Sequence, residues 1–171
     1  METVAIALGS NVGDSATLIR EAFVAVRQRL QLTDFRSSAL YRTLPVGPVE
    51  QGDFINAVCT GQTGMSPLEI LGVLQSIEAR MGRERLVHWG PRTMDLDLLF
   101  VGAQVVQSAE LTVPHPLMHE RGFVLKPLGE LECSWSHPLL NQNIGTLLDQ
   151  WEKTQNGIES VWLLDPEPRA S

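Results

Sequence analysis

At 171 residues the chain has single-domain length, and 43% hydrophobic against 19% charged residues is a globular composition, not a disordered one. A net charge of −7 argues against general nucleic-acid binding through phosphate neutralisation, and no long apolar run offers a membrane span. Two cysteines, Cys59 and Cys133, make no disulfide framework and fit thiols of a reducing cytoplasm, and the first residues, Met1-Glu2-Thr3-Val4-Ala5-Ile6, lack the basic start of a secretory signal.

Thr3 to Gly9 is short and apolar and ends in Gly-Ser-Asn, which predicts a buried strand. Asp14 or Ser15 can cap a helix reaching about Leu30, with Ile19, Ala22, Phe23, Val26 and Leu30 at helical spacing. Thr33 to Thr43 reads as a second strand, and the Pro/Gly-rich stretch 45–52 as a loop. Asp53 to Thr60 alternates as a third strand. Ser66-Pro67-Leu68-Glu69 is a helix start with a capping box and Pro at the first position. Leu71, Leu74, Ile77 and Met81 are expected to face inward, with the end near Gly82. The stretch 83–91 is polar and irregular, and Met94 to Val101 is a fourth strand. Leu111 to Pro116 is an extended loop. Gly122 to Leu131 is helical despite Pro127, Ile144 to Trp151 is a helix, and Ser160 to Leu164 a last strand.

The core order β-α-β-β-α-β predicts an α+β, ferredoxin-like fold. Its helices would pack on one face of a mainly antiparallel sheet, with additions at the C-terminal side. One domain, 1–171, is expected, since no repeat or linker divides the chain. That superfold hosts many functions, so it selects none.

Chemistry concentrates in Trp89-Gly90-Pro91-Arg92-Thr93-Met94-Asp95-Leu96-Asp97. On a strand Asp95 and Asp97 share one face, roughly 7 Å apart, and Met94, Leu96 and Leu98 the other. The carboxylates could hold Mg²⁺, which takes one or two carboxylates plus substrate phosphates, or could simply meet solvent at a sheet edge. Eleven of thirteen basic residues are Arg, and Arg80, Arg83, Arg85 and Arg92 fall within thirteen positions, with His88 between them. In an acidic chain this suggests a small anionic ligand; a solvated helix end is the plain alternative. His115 and His119 are four apart, but Pro114 and Pro116 disfavour a shared helix face, so His115 suits hydrogen bonding to phosphate better than zinc. Gly9-Ser10-Asn11-Val12-Gly13 lacks a Walker ending and reads as a turn and helix cap. Gln75 and Glu78 are neighbours on one helix face, and in isolation would be two exposed residues.

Taken together these strings resemble the 6-hydroxymethyl-7,8-dihydropterin pyrophosphokinase family of folate biosynthesis. The Trp89–Asp97 string looks like its signature. Gly9-Ser10-Asn11, Tyr41-Arg42-Thr43, Pro45-Val46-Gly47-Pro48, Asp53-Phe54-Ile55-Asn56-Ala57, Val113-Pro114-His115-Pro116 and Arg121-Gly122-Phe123 resemble further family segments, over about Val4 to Leu131. The resemblance implies transfer of a diphosphate group from ATP to the pterin hydroxymethyl group, giving AMP. It implies two Mg²⁺ ions on Asp95 and Asp97, with Arg83 and Arg92 also catalytic. It implies nucleotide contacts at Gln75, Glu78, Arg85, His88, Trp89, Arg92, Leu98, His115 and Arg121. Its pterin pocket is Thr43, Pro45, Val46, Phe54, Asn56, Trp89, Asp95 and Phe123. A loop of Arg83, Arg85 and Trp89 would close over ATP. His88 stands where the family often has Arg or Lys, and Phe54 where a tyrosine is common. A cytoplasmic monomer acting on small molecules, without nucleic acid or membrane, is expected. A non-catalytic binding module and a two-metal phosphohydrolase are the rival readings.

Overall fold

The computed structural model describes residues 1–44, 48, 50–82, 94–156 and 160–164. Strand β1 (Glu2–Ser10) is followed by α1 (Ser15–Arg29), β2 (Thr33–Ser37), β3 (Tyr41–Thr43), β4 (Phe54–Thr63), α2 (Pro67–Arg80) and β5 (Asp95–Val101). A short hairpin, β6 (Val106–Gln107) and β7 (Thr112–Val113), and a 3₁₀ turn (Met118–Glu120) lead into α3 (Gly122–Glu132). A second hairpin, β8 (Ser136–His137) and β9 (Gln142–Asn143), leads to α4 (Ile144–Thr154) and β10 (Val161–Leu163).

The local signals act as their chemistry requires. The Asp14 carboxylate accepts the Thr17 N–H and caps α1. Ser66 and Glu69 form both halves of the capping box on α2, with Pro67 in the first turn. Gly82 follows α2 at φ +72, the left-handed position that suits glycine. The expected second strand is two: Ser38 breaks it, its N–H donating to the Val58 carbonyl and its hydroxyl accepting the Val58 N–H.

The main sheet runs β10-β3-β4-β1-β5, with β2 also paired to β4, and every pairing is antiparallel. The order β5-β1-β4-β3 is that of the ferredoxin-like βαββαβ core. Helices α1 and α2 cover one face: Ile19, Phe23, Val26, Ile70, Leu74 and Ile77 pack on Val4, Ile6, Leu8, Leu96 and Leu98. In α2 the inward stripe is led by Ile70; Leu71 and Met81 pack only partly buried at its margin. The one-faced expectation needs a correction, because the C-terminal additions close the other face. There Met118, Val124, Leu125, Leu128, Ile144 and Leu147 pack on Ala5, Ala7, Val58, Leu99 and Phe100. Away from the Gly9 end, both faces of the central strands are thus covered, the condition under which β1 reads as a continuous apolar run.

A register shift between Ala5 and Ile6 marks a bulge on β5: Ile6 pairs with Leu98, and Ala5 with Phe100. The extra residue, Leu99, lets Phe100 stay on the face that Asp95 and Asp97 occupy, instead of following Leu96 and Leu98. No helix among the described residues is long and apolar enough to cross a membrane.

Candidate active site

One face of β1 carries only small residues, Ala5, Ala7 and Gly9, whereas the other carries Val4, Ile6 and Leu8. The small side leaves a hollow over the sheet. A cavity of about 630 Å³ opens there, between the ends of β1, β3, β4 and β5 and the start of α3. Asp95, Asp97, Thr43, Phe54, Asn56, Arg121 and Phe123 line it.

The register sets what faces what. Gly9 pairs with Asn56 on one side and Asp95 on the other, and Ala7 pairs with Asp97. Asn56, Gly9 and Asp95 therefore form a row across three strands, and at about 4.8 Å per strand the amide and the carboxylate stand roughly 10 Å apart. A Cβ on Gly9 would lie 3.0 Å from Asn56 Oδ1, so the absent side chain is what admits the amide. The Asn56 amide is buried and donates to the Thr43 hydroxyl at 2.7 Å. With that oxygen accepting, the Thr43 O–H is left to donate elsewhere.

Arg121 precedes α3 and lies over the Phe123 ring, 5.5 Å from its centroid. His115 is partly buried. Its Nδ1 accepts the Leu117 N–H at 3.1 Å, which places the proton of the neutral ring on Nε2. Burial, then the Arg121 guanidinium, push its pKa down to about 4, with Asp95 partly opposing. His115 is thus a neutral, single-proton donor at physiological pH. Between about 6.5 and 4 an unfolded chain takes up this proton and the fold does not, so the group's contribution to stability falls as pH drops through that window. A titration of the ring by NMR is expected to show no change from pH 8 to 5 in the ligand-free protein; a midpoint above 6 would contradict this environment.

The Asp95 and Asp97 pair offers hard oxygen donors, and among the described residues no group of three His, Cys, Asp or Glu gathers to hold an ion. That donor set fits Mg²⁺ arriving with phosphate and water oxygens, and does not fit a closed zinc site. His119 takes no part: its ring meets His137, centroids 6.2 Å apart, and its Nε2 faces Glu120.

A family model for 7,8-dihydro-6-hydroxymethylpterin-pyrophosphokinase matches residues 5–133. The chain belongs to this family. A Bacillus subtilis 2-amino-4-hydroxy-6-hydroxymethyldihydropteridine pyrophosphokinase is 44% identical over 74% of this chain and 75% of its own length. The Synechocystis enzyme of the same name is 38% identical over 95% of this chain and 85% of its own. In solved structures, the Plasmodium falciparum HPPK-DHPS with pteroate matches with a TM-score of 0.72 at 16% identity, over 91% of this chain. A crystal structure of HPPK-DHPS in complex with substrates matches with a TM-score of 0.71 at 13% identity. These likenesses bear on fold, and the chain spans a little under half of those longer proteins, 43% and 46%. As a member of the pyrophosphokinase family the protein is a diphosphotransferase of folate biosynthesis, with ATP as co-substrate.

The cavity gathers Thr43, Phe54, Asn56, Asp95, Asp97, Arg121 and Phe123 from the sequence-expected set. His115 stands behind them, close enough to feel Asp95 and Arg121. Three expectations sit elsewhere. Gln75 is exposed on α2 and does not line the cavity. Glu78 is buried, not exposed, and its carboxylate accepts the Leu96 N–H at 3.0 Å, tying α2 to the aspartate strand. The Leu98 side chain is in the core on the opposite face, so any nucleotide contact there falls to its backbone. Pro45, Val46, Arg83, Arg85, His88, Trp89 and Arg92, with the loop expected to close over ATP, lie outside the described residues. Sequence reasoning missed Glu120, Trp151, Gln155, Ser160 and Val161, which also line the cavity. An Ile144–Leu147–Trp151 stripe was the available signal for α4.

Proposed function

We propose that this cavity is where the pterin alcohol and the triphosphate of ATP meet. The single observation that carries the reading is the Asn56–Gly9–Asp95 row, which places a hydrogen-bonding amide and a carboxylate pair in one hollow. Phe54 and Phe123 offer apolar faces to a flat ring. Asn56 and Thr43 supply donors and acceptors for its polar edge, and the bare Gly9 backbone lets the ring lie across the strands. The hydroxymethyl arm then extends towards Asp95 and Asp97.

Asp95 and Asp97 would hold Mg²⁺, in one or two ions, between themselves and the phosphates. Bound there, the metal supplies charge stabilisation and orients the phosphates. Arg121 adds a planar cation for phosphate oxygens, and His115 can donate from Nε2. Arg83 and Arg92 join this phosphate set on the strength of the signature string. Positioning and electrostatics account for the rate, as in phosphoryl transfers generally. The chain acts as one domain, since β10 extends the same sheet through β3, and a cytoplasmic monomer fits this reading.

Product analysis tests the whole. AMP that appears from ATP and Mg²⁺ only when the pterin alcohol is present supports transfer; free phosphate without it would mean hydrolysis, and no turnover a binding module. For the pocket, Asn56→Ala is expected to weaken pterin binding by about 1–3 kcal/mol, because a ligand edge loses its partner. Affinity for ATP should hardly change. Calorimetry that finds equal losses for both ligands would refute this division of the site.

A further inference from the structure

The family match ends at residue 133, yet Trp151, Gln155, Ser160 and Val161 line the cavity as well. They come from α4, from the turn after it, and from the approach to β10. Strand β10 reaches the site because Val161 pairs with Thr43 at the pterin end.

Trp151 is seated unusually close to the main chain. A methyl group on Gly122 would overlap the Trp151 ring carbons Cζ2, Cη2 and Cε2. Gly122 has no positive φ, so backbone conformation does not demand glycine there; the indole ring does. Lys126 also meets the ring: its Nζ lies 5.9 Å from the centroid and donates to the Val161 carbonyl at 3.1 Å. One lysine of α3 thereby links α4 and β10. Gly122 itself lines the cavity, between Arg121, which precedes α3, and Phe123.

We infer that Trp151 is a positioning and specificity-determining residue for the pterin substrate. Its indole locks the Arg121–Gly122–Phe123 turn and supplies a third aromatic wall beside Phe54 and Phe123. The inference rests on the assignment of the pterin to the Thr43–Asn56–Phe123 end. A flat apolar ring gains from a rigid aromatic wall, and a pre-placed Phe123 removes an ordering cost that binding would otherwise meet. ATP gains less: only its Arg121 contact depends on that turn, and the rest of its hold is charge at the Asp95–Asp97 end.

The test is steady-state kinetics of full-length Trp151→Ala, Trp151→Phe, Gly122→Ala and the Gly122→Ala/Trp151→Ala double variant, with each substrate varied in turn. Trp151→Ala and Gly122→Ala should each raise KM for the pterin alcohol about tenfold, with KM for ATP changed no more than about twofold. Trp151→Phe keeps a ring and should recover most of the loss. The double variant should be no worse than Trp151→Ala alone, because without the indole the new methyl group meets nothing. Additive losses, equal rises in both KM values, or an unchanged KM for the pterin would overturn the inference. If Trp151→Ala does not fold, Gly122→Ala and Trp151→Phe decide it by the same split. Asn56→Ala is measured beside them. If it raises KM for the pterin and the Trp151 set does not, the inference fails while the site reading stands. If neither does, the site reading falls and the inference with it.

Discussion

Asp95→Ala and Asp97→Ala should each lower turnover by at least about a hundredfold, the scale seen when one preorganised electrostatic group is taken from an active site. The reasoning starts from the strand. Alternation puts both carboxylates on the face of β5 that lines the cavity, opposite Gly9 and Ala7. No third carboxylate among the described residues joins them, so on the proposed Mg²⁺ assignment the loss of one would remove half of the carboxylates offered to the ion. Substrate phosphates bring oxygen ligands of their own, but they do not tie the ion to β5. The fold should survive: both side chains are only partly buried, and β5 gives Leu96, Leu98 and Val101 to the core, with Met94 just before it. The measurement is AMP formation from ATP and the pterin alcohol at ordinary Mg²⁺, beside a thermal melt. Near-native turnover in both variants would remove the metal from these residues.

How far the sequence carried this site depends on the kind of information each part needs. The helices α1 and α2 were legible because caps and apolar spacing are local, and Asp14, Ser66, Glu69 and Gly82 do in the fold what their chemistry suggests. The shared face of Asp95 and Asp97 followed from strand alternation alone. The row from Asn56 through Gly9 to Asp95 did not, because it needs the register between three strands, and register is fixed by pairing and burial across the sheet. The bulge at Leu99 is of the same kind: simple alternation would send Phe100 to the side of Leu96. Glu78 looked like a surface residue because helix spacing gives no hint that a buried strand N–H waits for its carboxylate. The role of α4 was hidden for a similar reason. Trp151 touches Gly122 across 29 positions of sequence, and no local pattern reports a ring seated on a distant backbone.

Phe100→Ala should be the most destabilising of the single changes considered, at about 3–5 kcal/mol. Phe100 is fully buried at the bulge that keeps the site face of β5 continuous, paired with Ala5. Its ring stacks on Trp135, centroids 3.8 Å apart and planes 8° from parallel. Trp135 in turn donates its indole N–H to the Gly102 carbonyl at 3.0 Å, which fixes the ring against the strand end. Truncation leaves a ring-sized void between the sheet and the layer of Met118, Leu125 and Ile144, and its paired neighbour on the sheet, Ala5, has no length to fill it. For a chain of this size the loss should lower the melting temperature by roughly 6–20 °C. Because Phe100 does not line the cavity, the molecules that remain folded at low temperature should keep a KM for the pterin close to the native value. A melt shifted by less than about 2 °C would show that the second layer rests loosely on the sheet. It would then be a poor platform for Trp151 and the start of α3, which the proposed pterin pocket requires to be held in place.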